Sequence, residues 1–495
     1  MAHYQEFVHL CDLAVSKRVG NFVAILVKKS ISMRKCVLTA VAVMASLAAS
    51  AEGYQVNSFS ARQEGMGHVG VAMKLGAESN IFNPAGVAFS DKTFDISLGM
   101  SAIKAYCTAT VDNGEYKTDN KVSTPFNVSG AFKIYPNLYA GVSLYTPYGS
   151  SINWGENWPG AVLNQSVDLK VFTVQPTVSW KILPNLSVGA GLMVSWGNEN
   201  LNKGLVTGKS LDVLLGAMKL VGQVPAETPG FGGVTPASVN LKGTSDLSVG
   251  YNIGAMYDIL PNLTVGANFR SKMTMTVSKG VATVKYANQL AQQLLGERLD
   301  LINSTNFKAS MPCPYVLTFG VAYKPVTRLT LAFDAQLTGW GTYKYLDFEF
   351  DQLPDYNQHL EKNYKNSWTW KFGAQYALTN RLDMRAGIMV DQSPCNKEYY
   401  NPETPGMTKI EPSVGLSFRP IQGLSIDAAF MYVAGCGLDG TTSRYEDFIG
   451  KLVNQPSYDN SPVASLRPLL PVNATMNLDY KLHAIVPAIG ISYSF

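Results

Sequence analysis

"LPNLSVGAGL", Leu183 to Leu192, decides the fold, because the same pattern occurs as "YPNLYAGVSL" at Tyr135 to Leu144 and as "LPNLTVGANF" at Leu260 to Phe269. In each copy Pro and Asn supply the geometry of a tight turn. The Leu that follows starts a run in which every second residue is apolar. From Leu186 to Trp196, Leu186, Val188, Ala190, Leu192, Val194 and Trp196 share one face, while Ser187, Gly189, Gly191, Met193 and Ser195 share the other. A period of two residues is the period of a strand.

A soluble sandwich would carry charge on its second face. Here that face is mostly Gly, Ser, Thr, Asn and Gln, the pattern of a membrane barrel with lipid outside and a crowded lumen inside. The last strand repeats it, with Ile485, Pro487, Ile489, Ile491, Tyr493 and Phe495 opposite Ala484, Val486, Ala488, Gly490, Ser492 and Ser494. Trp180, Tyr257, Tyr323 and Tyr376 end strands and suit an interfacial girdle. Ascending runs begin near Phe94, Leu138, Leu186, Leu263, Leu329, Leu382 and Leu424, and descending runs end near Tyr135, Ile182, Ile259, Tyr323, Tyr376, Phe418 and Phe495. Seven of each predict an all-β fold, a 14-stranded antiparallel transmembrane barrel, with six short connections at one end and seven long ones at the other.

Composition agrees: only 15% of the 495 residues are charged, against roughly 25% in an ordinary globular protein. Of 40 basic and 36 acidic residues, six basic and two acidic lie in the first 51, leaving 34 of each, so nucleic-acid binding has no electrostatic support. "MRKCVLTAVAVMASLAASA", Met33 to Ala51, has the basic start, apolar run and small-residue end of a secretory signal, and residues 1–32 are expected to be an extension outside the mature protein. The cysteines that follow, Cys107, Cys313, Cys395 and Cys436, lack metal-ligand spacing, so neither a metal nor a cofactor is expected. His68, His359 and His483 show no arrangement with a nucleophile, and no enzyme activity is expected.

Residues 52–91 precede the barrel, which spans 92–495, and lack its alternation. Their "GMGHVG" at Gly65 to Gly70 has neither the strand before it nor the helix after it that a dinucleotide site requires. The segment "EGYQVNSFSARQEGMGHVGVA", the "NPA" at Asn83, Pro84 and Ala85, "MPCPYVLTFGVAYKP" at Met311 to Pro325 and "WKFGAQYALTNRLDMRAGIMVDQSP" at Trp370 to Pro394 together resemble the FadL-type outer-membrane long-chain fatty-acid transporters. The resemblance implies that residues 52–91 are an N-terminal hatch inside the barrel, with Asn83, Pro84 and Ala85 its characteristic turn. It also implies a hydrophobic ligand captured outside, held in the lumen and released sideways.

Two long loops carry helical periodicity. Leu211, Leu214, Leu215 and Met218 form one stripe, and Leu290, Leu294 and Leu295 belong to the other; the resemblance implies that these residues form the capture groove. Strand alternation places Arg270, Lys272, Lys371 and Arg385 on the lumen face with Asp258, Asp334, Asp383 and Asp427, where charges commonly pair. Arg270, Lys272 and Lys371 are the candidates to meet a ligand carboxylate. The expectation is a monomeric channel in a Gram-negative outer membrane, surrounded by its lipid, for passive uptake of long-chain fatty acids or other hydrophobic molecules. A polar-solute porin or a structural surface protein on the same barrel is the alternative.

Overall fold

The computed structural model describes residues 53–495 except Ser304, Gln352, Pro405 and Asn460. The extension at 1–32, the signal at 33–51 and Glu52 lie outside the described residues.

Fourteen strands form the wall: β1 (Phe94–Ser101), β2 (Phe126–Tyr135), β3 (Leu138–Asn153), β4 (Ser166–Leu183), β5 (Leu186–Val206), β6 (Ser248–Leu260), β7 (Leu263–Arg270), β8 (Val316–Val326), β9 (Leu329–Thr338), β10 (Ser367–Ala377), β11 (Leu382–Asp391), β12 (Lys409–Phe418), β13 (Leu424–Gly435) and β14 (Asn473–Ser494). Each pairs antiparallel with the next, and β14 closes the ring on β1 in the register Asp95↔Ser494 to Ser101↔Ala488. Closure of β14 on β1 leaves neither terminal strand as a free edge, as a lipid-spanning sheet requires.

The repeated turn has a structural reason. The Asn137 carbonyl accepts from Lys181 N–H, that of Asn185 from Asp258 N–H, and that of Asn262 from Lys324 N–H, each at 2.8 Å. Every "PNL" turn is thus tied to the foot of the following descending strand, so hairpin and neighbour share one register.

Faces are as the alternation predicts. Val178, Trp180, Leu192, Tyr257, Tyr323 and Tyr376 are exposed on the outside, whereas Ser179, Ser187 and Ser195 are buried inside. Among the described residues no helix is long and apolar enough to cross a membrane.

Eight further strand segments, absent from the expected topology, extend the wall at the long-loop end: Lys104–Val111, Gly114–Lys117, Ala237–Thr244, Met273–Tyr286, Asn306–Cys313, Tyr345–Phe350, Gln358–Glu361 and Leu438–Glu446. Their inner faces bury Leu241, Val277, Phe307 and Phe348 in an apolar core under the loops. The helices α1 (Gly208–Leu220), α2 (Gln289–Leu299) and α3 (Phe448–Val453) contribute Leu211, Leu295 and Ile449 to that core.

One inward assignment fails. Regular pairing stops over Ser271 and Lys272, between β7 and the segment starting at Met273. Arg270 lies on the lumen side, yet Met273, Met275 and Val277 are the buried residues beyond the break, so parity has changed. Lys272 is therefore exposed. An irregular pair of residues had reversed the faces, as any one-residue slip in a period of two must.

Candidate functional site

The segment from Gln55 to Ser90 lies against the inner face of the wall, and its fastening begins at Asn83. Asn83 closes the helical turn Ser79–Phe82 and caps the 3-10 helix Pro84–Phe89. Its Oδ1 accepts from Ala85 N–H at 3.1 Å, and its Nδ2 donates to Val71 O at 2.7 Å and to Ala255 O on β6 at 3.0 Å. Pro84 occupies the first helical position, where it forfeits no hydrogen bond. The Ala85 carbonyl accepts from Ser179 on β4 at 3.3 Å and Ser187 on β5 at 2.7 Å. Asn83, Pro84 and Ala85 are all buried.

Glycines of the wall permit this approach. A Cβ on Gly189 would lie 2.5 Å from the Pro84 carbonyl carbon, one on Gly266 2.2 Å from Val71 O, and one on Gly387 2.1 Å from Gly67 N. Small residues on the lumen face therefore make room for a second layer of chain, at the entropic cost glycine carries in a strand.

Charged groups fasten the same layer. Asp334 accepts from Gly70 N–H at 2.7 Å and Val71 N–H at 3.1 Å, Arg62 reaches Asp427 at 3.2 Å, and Lys74 reaches Asp258 at 2.7 Å. Glu78 accepts from Ser60 at 2.7 Å and Ser97 at 2.6 Å. Arg385 lies between Asp383 at 3.7 Å and Asp427 at 3.6 Å. Burial pushes the Glu64 carboxyl up to about 8, against the opposing pull of the Ser101 hydroxyl, which donates to it at 2.7 Å. Burial also lowers His68 to about 3, with Lys371 adding to the shift, so its imidazole is neutral.

Of the carboxylate candidates, Arg270 donates to the Ile81 carbonyl and stands 5.2 Å from the Phe59 ring and 5.8 Å from that of Tyr145. Lys371 is buried and donates to Gln336 at 2.8 Å. Lys272 is exposed, in the break between two strand segments. In the outer loops Leu211, Leu215 and Leu295 are buried, Leu214, Leu290 and Leu294 are half-buried against the same core, and Met218 is half-buried.

The space beside the segment is a cavity of about 420 Å³. Gln55, Val56, Asn57 and Ser58 of the segment form one side, and Met389, Met431, Val433 and Val486 stand at the inner end beside Lys409 and Glu411. The other end reaches the wall at Pro125, Phe126, Thr146 and Phe172. There the β2–β3 ladder stops at Asn127↔Tyr145. Beyond it β3 pairs with the segment instead: Val56 N–H donates to Pro147 O and Gly149 N–H to Tyr54 O, both at 2.9 Å. The cavity lining thus runs from lumen-facing residues to Phe126 and Phe172 beside this break in the ladder.

The cavity's lysines are Lys121, Lys170 and Lys409, none of them among the sequence candidates. Lys409 and Glu411 were within reach of the alternation, since counting back by twos from Ser417 assigns both to the lumen face. Lys121 lies in a loop that carries no such signal.

Residues 41–457 match the family model described as outer membrane protein transport protein (OMPP1/FadL/TodX). The chain is 21% identical over 383 residues to outer membrane protein P1 of Haemophilus influenzae, covering 74% of this chain and 76% of that protein. Its fold is similar to the crystal structure of a Pseudomonas aeruginosa FadL homologue, with 18% identity, TM-score 0.71 and coverage of 90% of this chain and 100% of the other. The toluene transporter TodX of P. putida is also similar in fold, with 16% identity, TM-score 0.62 and coverage of 89% and 99%. With its closed ring of 14 strands, this chain belongs to the OMPP1/FadL/TodX family of outer membrane transport proteins.

Proposed function

We propose that the protein is a passive channel for hydrophobic small molecules, long-chain fatty acids among them, captured at the outer loops, held in the lumen and released past an N-terminal hatch formed by residues 52–91. The observation that carries this reading is the cavity between the segment and the wall. It is lined by Met389, Met431, Val433 and Val486 inside and by Phe126 and Phe172 at the gap between β2 and β3. A cavity with these apolar side chains, whose lining reaches a break in the wall ladder, suits cargo that prefers lipid to water. The half-buried Leu214, Met218, Leu290 and Leu294 are the residues we assign to first capture.

Filling the cavity tests the reading. Ala484 lines it and is buried, so Ala484→Trp should cut uptake of a labelled long-chain fatty acid by about tenfold while heat-modifiable migration reports an assembled barrel, since a bulky ring obstructs the space without touching the outer face. Uptake unchanged in an assembled Ala484→Trp barrel would mean that cargo takes another route.

A further inference from the structure

The inner end of the cavity holds one ammonium group between two carboxylates. Asp391 and Lys409 are register partners on β11 and β12. Lys409 Nζ lies 3.6 Å from Asp391 Oδ2 and 4.0 Å from Glu411 Oε1. The Lys409 side chain is 19% exposed, and the carboxylates are 0% and 5% exposed. Asp391 also accepts from Thr369 Oγ1 at 2.9 Å. Lys409 and Glu411 both line the cavity, next to Met389, Met431 and Val433. At the rim, Lys170 lies 3.0 Å from Asp168, and Lys121 is exposed to water.

A carboxylate anion bound at Lys409 would bring a third negative charge beside Asp391 and Glu411, and Lys371, the other ammonium that acts on Glu411, already donates to Gln336 at 2.8 Å. In a sparsely hydrated interior, attraction to Lys409 is then offset by repulsion from Asp391 and Glu411, and the desolvation of the anion remains uncompensated. A hydroxyl group fits the same atoms without that cost: it donates to the acceptor-only Glu411 carboxylate and accepts from the donor-only Lys409 ammonium. Lys121, solvated and screened at the rim, adds little to binding at the inner end.

Resting on the transport reading above, we infer that cargo occupies the inner end of the cavity with an uncharged polar head: an alcohol, a phenol, or a fatty acid in its protonated form. Asp391 and Glu411 discriminate against the carboxylate anion. The channel then passes an acid only as its neutral species, the form that also enters a bilayer most readily.

The experiment measures binding of radiolabelled dodecanol and laurate to the detergent-purified full-length barrel at pH 8. Dodecanol should bind at least about tenfold more tightly, and Glu411→Gln should raise the ratio of laurate to dodecanol affinity about tenfold by removing one repelling charge. Laurate binding as tightly as dodecanol in the unmodified protein would overturn the inference, as would a ratio unmoved by Glu411→Gln. If laurate binding is the tighter and is lost in Lys409→Ala or Lys121→Ala, the cavity is an anion site and the inference alone is wrong. Binding of neither molecule would overturn the transport reading and this inference with it.

Discussion

Asn83 and Gly254, 171 positions apart, are in contact: a Cβ on Gly254 would lie 2.1 Å from Asn83 Oδ1. The adjoining Ala255 carbonyl accepts from Asn83 Nδ2 at 3.0 Å. One amide therefore holds two parts of the lumen segment together and fixes both to β6.

Asn83→Ala should loosen the segment by about 1–3 kcal/mol, the cost of leaving buried Val71 and Ala255 carbonyls unpaired, without affecting closure of the ring. Hydrogen exchange of residues 60–89 should accelerate by about tenfold or more, while exchange in β6 and β7 stays slow. Unchanged protection would show that the amide is dispensable.

Gly254→Leu approaches the same contact from the wall. Its side chain must displace Asn83, at a cost of about 1–3 kcal/mol for overpacking. Faster exchange limited to the segment is the expected result. Failure of the barrel to assemble would show that the segment is needed during closure itself.

Glu64 makes attachment of the segment depend on pH. Its carboxyl is raised from 4.5 to about 8 by burial, so the docked form is neutral while a released segment ionises above its ordinary value. The contribution is fully present below about 4.5 and is lost as pH rises from there to about 8. Protection of the segment, corrected for the intrinsic rise of amide exchange with pH, should fall between about 6.5 and 8, where His68 is neutral whether docked or released, and Glu64→Gln should abolish that fall. A pH response that survives Glu64→Gln would place its origin elsewhere.

The repeated turns provide a topological test. Gly222 follows α1 in an exposed loop, with φ +73° and open space around it. A tag inserted there should be labelled on intact cells, and one at Asn185 in the short turn between β4 and β5 should not, because the long loops face outward. Reversed labelling would invert the orientation.

The wall was readable because a period of two with lipid on one side constrains every residue. Leu186 to Trp196 show this: Val188, Ala190 and Leu192 turn outward, and Ser187 and Ser195 are buried. The importance of Asn83 came from family resemblance, since Asn-Pro alone marks only a turn; its two carbonyl partners are tertiary. Lys272 was misplaced because nothing in "RSKM" distinguishes an interrupted strand from a continuous one. Met273–Tyr286 was missed as a strand because, beyond the lipid, its outer face carries Thr274, Thr283 and Lys285 in water. The Asp391 and Lys409 pairing depends on the β11–β12 register, which neither strand specifies alone.

On the proposed transport reading, the barrel passes hydrophobic cargo while the segment in its lumen excludes polar solutes. A lumen ringed by 14 strands is too wide for wall side chains alone to fill. The most direct measurement compares liposomes carrying the unmodified protein with liposomes carrying a variant lacking residues 61–89, following laurate uptake at pH 5 in excess of that by protein-free liposomes, and swelling in arabinose. The unmodified protein should admit laurate and exclude arabinose, and the assembled deletion variant should admit both. Exclusion of arabinose by an assembled deletion variant, or free passage of arabinose through the unmodified protein, would contradict the claim.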